Sequence, residues 1–508
     1  MLAGCGLVAA SGYRDAVSAA RPAPLPPDRK GDAASDTPSV VAETGPLKIG
    51  VSDAVLLSLE RNPGFAIERL APSSAGTLEE EAASVFDPRL AASFTNARRD
   101  GISGGVLETR RTSVAAVVDL PTGTEVGLAL GHDHQNDGGP DTATAEVSLT
   151  QPLLNGGGAR ANLAVVRQAG LDVRVSEYEL RGAAEALVAD VETAYWDHGL
   201  AKEQIVIYEE SLRLAEKQLE ETRARIDAGK LAGTELAAAR AEVASRADAL
   251  IGARGTLETA RISLLRLLGT PQMASVEGQS AFWSREIAPL DKPLSPEAGP
   301  EDVEGHVAKA LVARPDLNQA RLAIERGELE LVKTRNGLLP KLDLFVQLGR
   351  TGYADSFSSA FKDLGDGYDV SAGVAFEYML GNRGARARQR RAEISRAEAD
   401  LALANLVQLA QVDVRTAHVA ARTARERIAA TAAARALQEE AVRAETEKFR
   451  VGKSTTFQVA QAQRDLVSAR LAEVEAVVGY LQALVTLYRA DGSLLERRGV
   501  SAPGVPRR

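Results

Sequence analysis

Phe449–Gln463 reads FRVGKSTTFQVAQAQ. A long alanine-rich helical pattern runs into this stretch, breaks at Gly452 and restarts at once. A near copy lies 223 residues earlier, Ala224–Glu242, ARIDAGKLAGTELAAARAE, with its break at Gly229. Glycine enters the left-handed backbone region without steric cost, so it permits a sharp reversal at a helix end. Two long helical hairpins with like tips predict a duplicated chain, and a repeat changes how the 508-residue length is read.

Composition narrows the function classes. Hydrophobic residues make up 45% but aromatics only 4%, with alanine dominant, which suits close helix–helix packing better than a thick globular core. A formal net charge of −9 argues against a nucleic-acid scaffold, which needs a basic face. No run of 18 apolar residues occurs, so no membrane-crossing helix is indicated, and a membrane role would have to use strands or a lipid. Cys5 is the only cysteine, which rules out an internal disulfide. It closes Leu2-Ala3-Gly4-Cys5, a lipobox-like run of small residues, and is expected to be lipidated although only four residues precede it.

The expected order is as follows. Residues 1–50 are the lipobox-like terminus and a linker too rich in proline and polar residues to fold alone. Residues 51–275 are a first repeat. Ser52 is read as the N-cap of its first helix, Pro63 and Pro72 break that helix, and Pro88 ends it. Strands follow over about 88–152, where Val114, Ala116 and Val118, then Val126, Leu128 and Leu130, then Ala143, Ala145, Val147 and Leu149 alternate with other residues, a pattern that fits a transmembrane barrel and a soluble sandwich equally. A long hairpin over about 160–268 contains no proline, and its first arm, Arg160 to Asp227, would reach roughly 100 Å. Residues 276–300 are a joint. Residues 301–492 repeat the plan, with strands over about 341–378 and a hairpin over about 386–490, and 493–508 are a tail. The first repeat has an additional hairpin near 112–132, expected to project as a surface loop, leaving four barrel strands per chain; the other reading has it join the barrel, with six strands per chain and eighteen in a trimer.

Helices this long must bury their apolar stripes against other long helices, and open strand edges must be covered. A ring of several chains meets both needs. The predicted fold is mainly α with a β-barrel portion: a duplicated helix–strands–long helix–helix repeat whose copies form a β-barrel plus an α-helical barrel, which the resemblance described next makes trimeric. Over about residues 50–492 this order, the two tips and the repeat starts AVLLSLERNP and ALVARPDLNQARLAI resemble the TolC-like outer-membrane efflux protein family. The resemblance implies a homotrimer in outer-membrane lipid, a periplasmic adaptor docked at the tips, and an inner-membrane pump of RND, ABC or MFS type. It implies no cofactor and no nucleic acid. Carried over by position, Ala228, Gly229, Lys230 and Leu231, and Val451, Gly452, Lys453 and Ser454, are the docking tips. Glu235 stands at an acidic gate position of the first hairpin, whereas Gln458 and Gln461 stand at the matching positions of the second. Phe449 stands where a tyrosine can lock the closed state and Ser454 where an arginine can. The bonds that hold the gate shut are therefore expected to be depleted, with weak block by multivalent cations.

Other motifs carry less. Gly452-Lys453-Ser454 lacks the earlier glycine and the preceding strand of a phosphate loop. His132-Asp133-His134 has no evident third metal ligand and reads as a solvated loop, Gly156-Gly157-Gly158 as a strand-to-helix junction, and Tyr195-Trp196 as helix packing. No nucleophile–base constellation stands out, so an enzyme is not expected. The leading function is a passive exit duct for small molecules. The alternatives are a type I protein-secretion duct and a non-conducting periplasmic coiled-coil scaffold.

Overall fold

The structure is a computed structural model that describes residues 45–100, 106–135, 140–229, 231–269, 280, 282–294, 299, 302–354, 356–362, 364 and 367–500. Cys5 and Lys230 lie outside the described residues. The chain forms two compact units. One comprises the described part of Met1–Lys48 with Arg285–Ala288, and the other comprises Ile49–Ser284 with Pro289–Arg508. In the first, Leu47 N–H donates to the Glu286 carbonyl at 2.7 Å as strand β1 (Leu47–Ile49) meets β6 (Ile287–Pro289). The expected linker therefore ends in a strand rather than running to residue 50.

The second unit follows the duplicated order. Its first helices are α1 (Val51–Arg61), α2 (Pro63–Glu68) and α3 (Ala71–Ala83), divided where Asn62 precedes Pro63 and where the chain turns before Pro72. The cap of α1 is Gly50 and not Ser52, because the Asp53 carboxylate accepts from Gly50 N–H at 3.4 Å and the Asp291 carboxylate accepts from Val51 N–H at 2.7 Å. After the strands come α4 (Ala159–Asn162), α5 (Ala164–Asp227) and α6 (Thr234–Leu268). The second repeat supplies α7 (Val303–Ala313), α8 (Pro315–Asn336), α10 (Arg383–Arg450) and α11 (Thr456–Ala490). At 64 and 68 residues, α5 and α10 extend roughly 100 Å. By length and composition α11 is apolar enough to cross a membrane. In the fold it is instead the return arm of the second hairpin, packed on α10 and α5. Near the strands α3, α5, α8 and α10 pack side by side, and near the tips α6, α5, α11 and α10 do.

All the long strands form one antiparallel sheet in the order β2 (Arg89–Asp100), β3 (Val106–Asp119), β4 (Glu125–Gln135), β5 (Asp141–Pro152), β7 (Lys341–Ala354) and β8 (Gly367–Glu377), with the short α9 (Phe357–Lys362) between the last two. This corrects the expected surface loop: β3 and β4 pair with each other and with both flanking strands along their length. Because side chains alternate, register fixes the faces. One row runs Leu90, Ala116, Leu128, Val147, Leu348, Val370, and the adjacent row on the other face runs Ala91, Ala115, Ala129, Glu146, Gly349, Asp369. One face thus carries an apolar band across all six strands, giving way at the far end of the strands to the polar groups Arg98–Glu108 and His132, His134 and Asp141, while the other face is mostly small or polar and carries the pairs Arg89–Asp119 (2.7 Å) and Arg111–Asp133 (2.6 Å).

The strand-to-helix junction is tied by Asn336. Its Oδ1 accepts from Gly156 N–H at 2.7 Å, and its Nδ2 donates to the Leu154 and Gly157 carbonyls at 3.1 Å each. Midway along the helices Val307, Val414, Ala417, Ala421, Tyr480 and Leu487 form a buried cluster. Beside it His306 Nδ1 meets the Asp491 carboxylate at 2.6 Å, both fully buried. The expected tail is not loose through residue 500. Leu494 and Leu495 of α12 (Leu494–Arg497) are fully buried, and Arg498 donates two bonds to the fully buried Glu192.

Candidate functional site: the two hairpin tips

Each tip is built by a glycine in the left-handed region. Helix α5 ends at Asp227, Gly229 takes φ +71°, and α6 restarts at Thr234. Helix α10 ends at Arg450, Gly452 takes φ +77°, and α11 restarts at Thr456. Nothing lies within 4 Å of a Cβ added at either glycine, so the demand for glycine is conformational and the surface beyond is open.

The second tip is tied by side chains. Thr455 Oγ1 accepts from Gln458 N–H at 3.2 Å, and Gln458 Oε1 accepts from Thr455 N–H at 3.0 Å, a reciprocal capping box. Ser454 Oγ donates to the Glu445 carboxylate at 2.8 Å. The Lys448 ammonium, and after it the Ser454 hydroxyl, hold the Glu445 carboxyl below the usual carboxylate range. Lys453 N–H reaches back to the Lys448 carbonyl at 2.8 Å. At the first tip Gly233, at the cap position, offers no side chain, and its φ −63°, ψ −17° is not the extended backbone of Thr455 (φ −103°, ψ 159°). The first loop is also one residue longer. Counted from the two helix starts, Glu235 therefore shares its place with Phe457, not with Gln458 as the tip glycines alone suggest.

Within the chain, Phe449 and the helices beside it are joined by other contacts. Phe449 is buried, and the Arg225 guanidinium lies 4.4 Å from its ring centre, so α5 covers α10 by a cation–π contact where a tyrosine hydroxyl could have bonded. Arg464 of α11 donates to Glu242 of α6 at 2.6 Å, and Glu242 also accepts from Arg246. Further along, Arg470–Glu210 (2.8 Å), Gln204–Glu475 (3.2 Å) and Gln482–Asp197 (2.7 Å) continue the bridging between α11 and α5. Gln461, exposed, bonds Asp465 and accepts from Arg464. A groove of about 230 Å³ lined by Leu214, Gln218, Val442, Leu466, Val467 and Arg470 lies between the hairpins.

Sequence reading missed Arg225, Glu242 and Arg464, whose partners lie more than two hundred residues away; only the opposite charges at matching helical positions hinted at the last pair. It also misread His132 and His134. Both are on β4 and share the Asp141 carboxylate of β5, at 3.3 and 2.5 Å. Among the described residues no group of three His, Cys, Asp or Glu is arranged to hold a metal ion. Tyr195 and Trp196 are buried and packed edge to face, 5.3 Å apart.

The family model described as outer membrane efflux protein matches residues 109–270 and 307–493. The outer membrane efflux protein BepC of Brucella suis is 26% identical over 365 residues, 70% of this chain and 73% of that protein. The proteases secretion protein PrtF of Dickeya chrysanthemi is 24% identical over 367 residues, 70% of this chain and 74% of that protein. The solved outer-membrane channel OprN has a similar fold, with a TM-score of 0.68 at 19% identity, covering 87% of this chain and 90% of that one.

Proposed function

The chain belongs to the outer membrane efflux protein family, and from that premise we propose how it works. It is an efflux channel of tripartite export systems in the outer membrane of Gram-negative bacteria, and it acts by passage, not catalysis. In our reading three copies assemble. The sheets sit in the membrane, the hairpins form the periplasmic tube, and small molecules pass passively from adaptor and inner-membrane pump to the exterior. The adaptor's hairpin tips dock at Ala228, Gly229, Lys230 and Leu231 and at Val451, Gly452, Lys453 and Ser454, and Cys5 carries a lipid.

The observation that carries this reading is one compact unit bearing a sheet with an apolar band across all six strands and two long hairpins ending in like glycine turns. A soluble scaffold has no use for such a band. The test expresses the full chain in a Gram-negative host and follows its fractionation, its extraction and its conductance in planar bilayers. Detergent-dependent extraction from the outer membrane with ohmic conductance is expected. A protein released without detergent and electrically silent would overturn the duct reading. Cysteines at Lys453 and Leu231 should cross-link to a co-expressed adaptor, and cysteines on the flank at Leu401 should not. Similarity to a protease-secretion protein favours polypeptide cargo as a second reading, which export of an unfolded reporter would separate from efflux of dyes.

A further inference from the structure

We propose that the membrane barrel has eighteen strands, six from each of three copies, closed by β8 of one copy pairing with β2 of the next; this rests on the duct reading above. The additional hairpin β3–β4 is a full member of the sheet. Its turn is seated on the strand-to-helix junction: Gly158 N–H donates to the Thr122 carbonyl at 2.9 Å, Thr124 Oγ1 bonds the Gln151 side chain, and a Cβ at Gly123 would lie 2.2 Å from the Gly156 carbonyl oxygen. A surface loop has no reason to be anchored there. Nor has it a reason to continue the apolar row, as Ala116 and Leu128 do between Leu90 and Val147. Strands of 11–14 residues are long enough to span an outer membrane at a tilt.

The two outer strands identify the closing partner. Apolar side chains on the edges are the barest of the sheet: Leu90 77% and Phe94 69% on β2, Tyr368 84%, Val370 59%, Val374 60% and Phe376 65% on β8. On the inner strands the same face is covered to a greater degree, with Leu128 at 50% and Val147 at 45%. Lipid cannot satisfy an open strand edge, so both must pair. Six alternating strands leave β2 and β8 running in opposite senses, so β8 beside a neighbour's β2 continues the antiparallel order and the apolar belt.

Size agrees. Eighteen strands about 4.8 Å apart at a tilt of about 40° enclose a backbone ring about 36 Å across, against about 24 Å for twelve. Four helices abreast per chain make a ring of twelve. At spacings of about 8–10 Å that ring is about 31–38 Å across. Tube and barrel then meet without a step, and the barrel is not the narrowest part of the duct.

The experiment is electron cryo-microscopy of the full chain in lipid nanodiscs, beside a chain lacking Val106–Gln135. Eighteen strands in the first and twelve in the second are expected. Twelve strands in the full chain, with the hairpin outside, would overturn the proposal and leave the duct reading intact. An assembly with no barrel, or a chain that never enters membranes, would overturn both. A second measurement does not depend on the deletion folding. Leu128→Arg, on the apolar face, should abolish assembled trimer in membranes, and Ala129→Arg, on the opposite face, should leave it within about twofold of the parent. Equal tolerance of both changes would also overturn the placement of the hairpin in lipid.

Discussion

At Gly229 and Gly452 the backbone turns through nearly the same angle, and at the second loop side chains tie the turn, whereas among the described residues of the first the cap position offers none. The second tip carries a capping box, a Ser454–Glu445–Lys448 cluster and a buried Phe449. The first offers Gly233 at the cap and the half-buried Ile226 where the second has Phe449. The turn occurs in both repeats, but its ties differ, so the second tip is expected to open less readily than the first.

The sharpest way to break this contrast is at the aromatic. Phe449→Ala should cost about 3 kcal/mol of local stability by burial alone, and Ile226→Ala about 1–2 kcal/mol. Hydrogen exchange at the two tips reads the difference, and equal losses would mean the tips are alike. Next comes the link between hairpins. Arg464 and Glu242 hold the same position counted from the starts of α11 and α6, so the repeat sets an acid opposite a base. Glu242→Arg should loosen that link by about 2 kcal/mol, and adding Arg464→Glu should restore most of it, measured as a double-mutant cycle on spin-label distances between α6 and α11. If the gate rests on this pair, the single variant conducts more often and the double variant returns toward the parent.

The glycines should respond alike. Alanine at either 229 or 452 is expected to cost about 1–2 kcal/mol, because only the left-handed backbone resists it. A larger cost at one would show that its surroundings matter too. The caps should differ: Thr455→Ala costs about 1 kcal/mol, whereas Gly233→Ser changes stability by less than about 0.5 kcal/mol, since that backbone is not extended. The smallest effect is acid sensitivity. Glu445 has a depressed pKa, so its contribution is present above the ordinary carboxylate value of about 4.5 and is lost as pH falls below it. The second tip should loosen in acid, the first should not, and Glu445→Gln should remove the pH dependence.

Much of this was legible in the chain itself. Proline-free runs and the two glycines marked both hairpins, since helix breaks depend on local backbone chemistry. The alternation of Val126, Leu128 and Leu130 marked a strand, but period two says nothing about which strand lies beside it. Hence the place of β3–β4 in the sheet needed the register. For the residues named near the tips, the bonds were not legible. Phe449 was read as a lost hydroxyl because its partner, Arg225, is brought to it by two hairpins lying together and not by sequence spacing. Asp141 was missed beside His132 and His134 for the same reason, across one hairpin turn. Residues 493–500 carried no pattern that announced the pairing of Arg498 with the buried Glu192.

The pairing of β5 with β7 joins residues near 141–152 to residues near 341–354, and Asn336 fastens the same seam. That seam sets the timetable of biogenesis. The first four strands can pair as hairpins while the rest of the chain is still being made, but the sheet cannot be completed until the second repeat has crossed the inner membrane. Closing so long a loop is slow. Until then an unpaired β5 edge and an apolar face are exposed in an aqueous compartment. The protein's most vulnerable interval is therefore its passage through the periplasm, and the demand for a holding chaperone there should scale with the delay between its two halves.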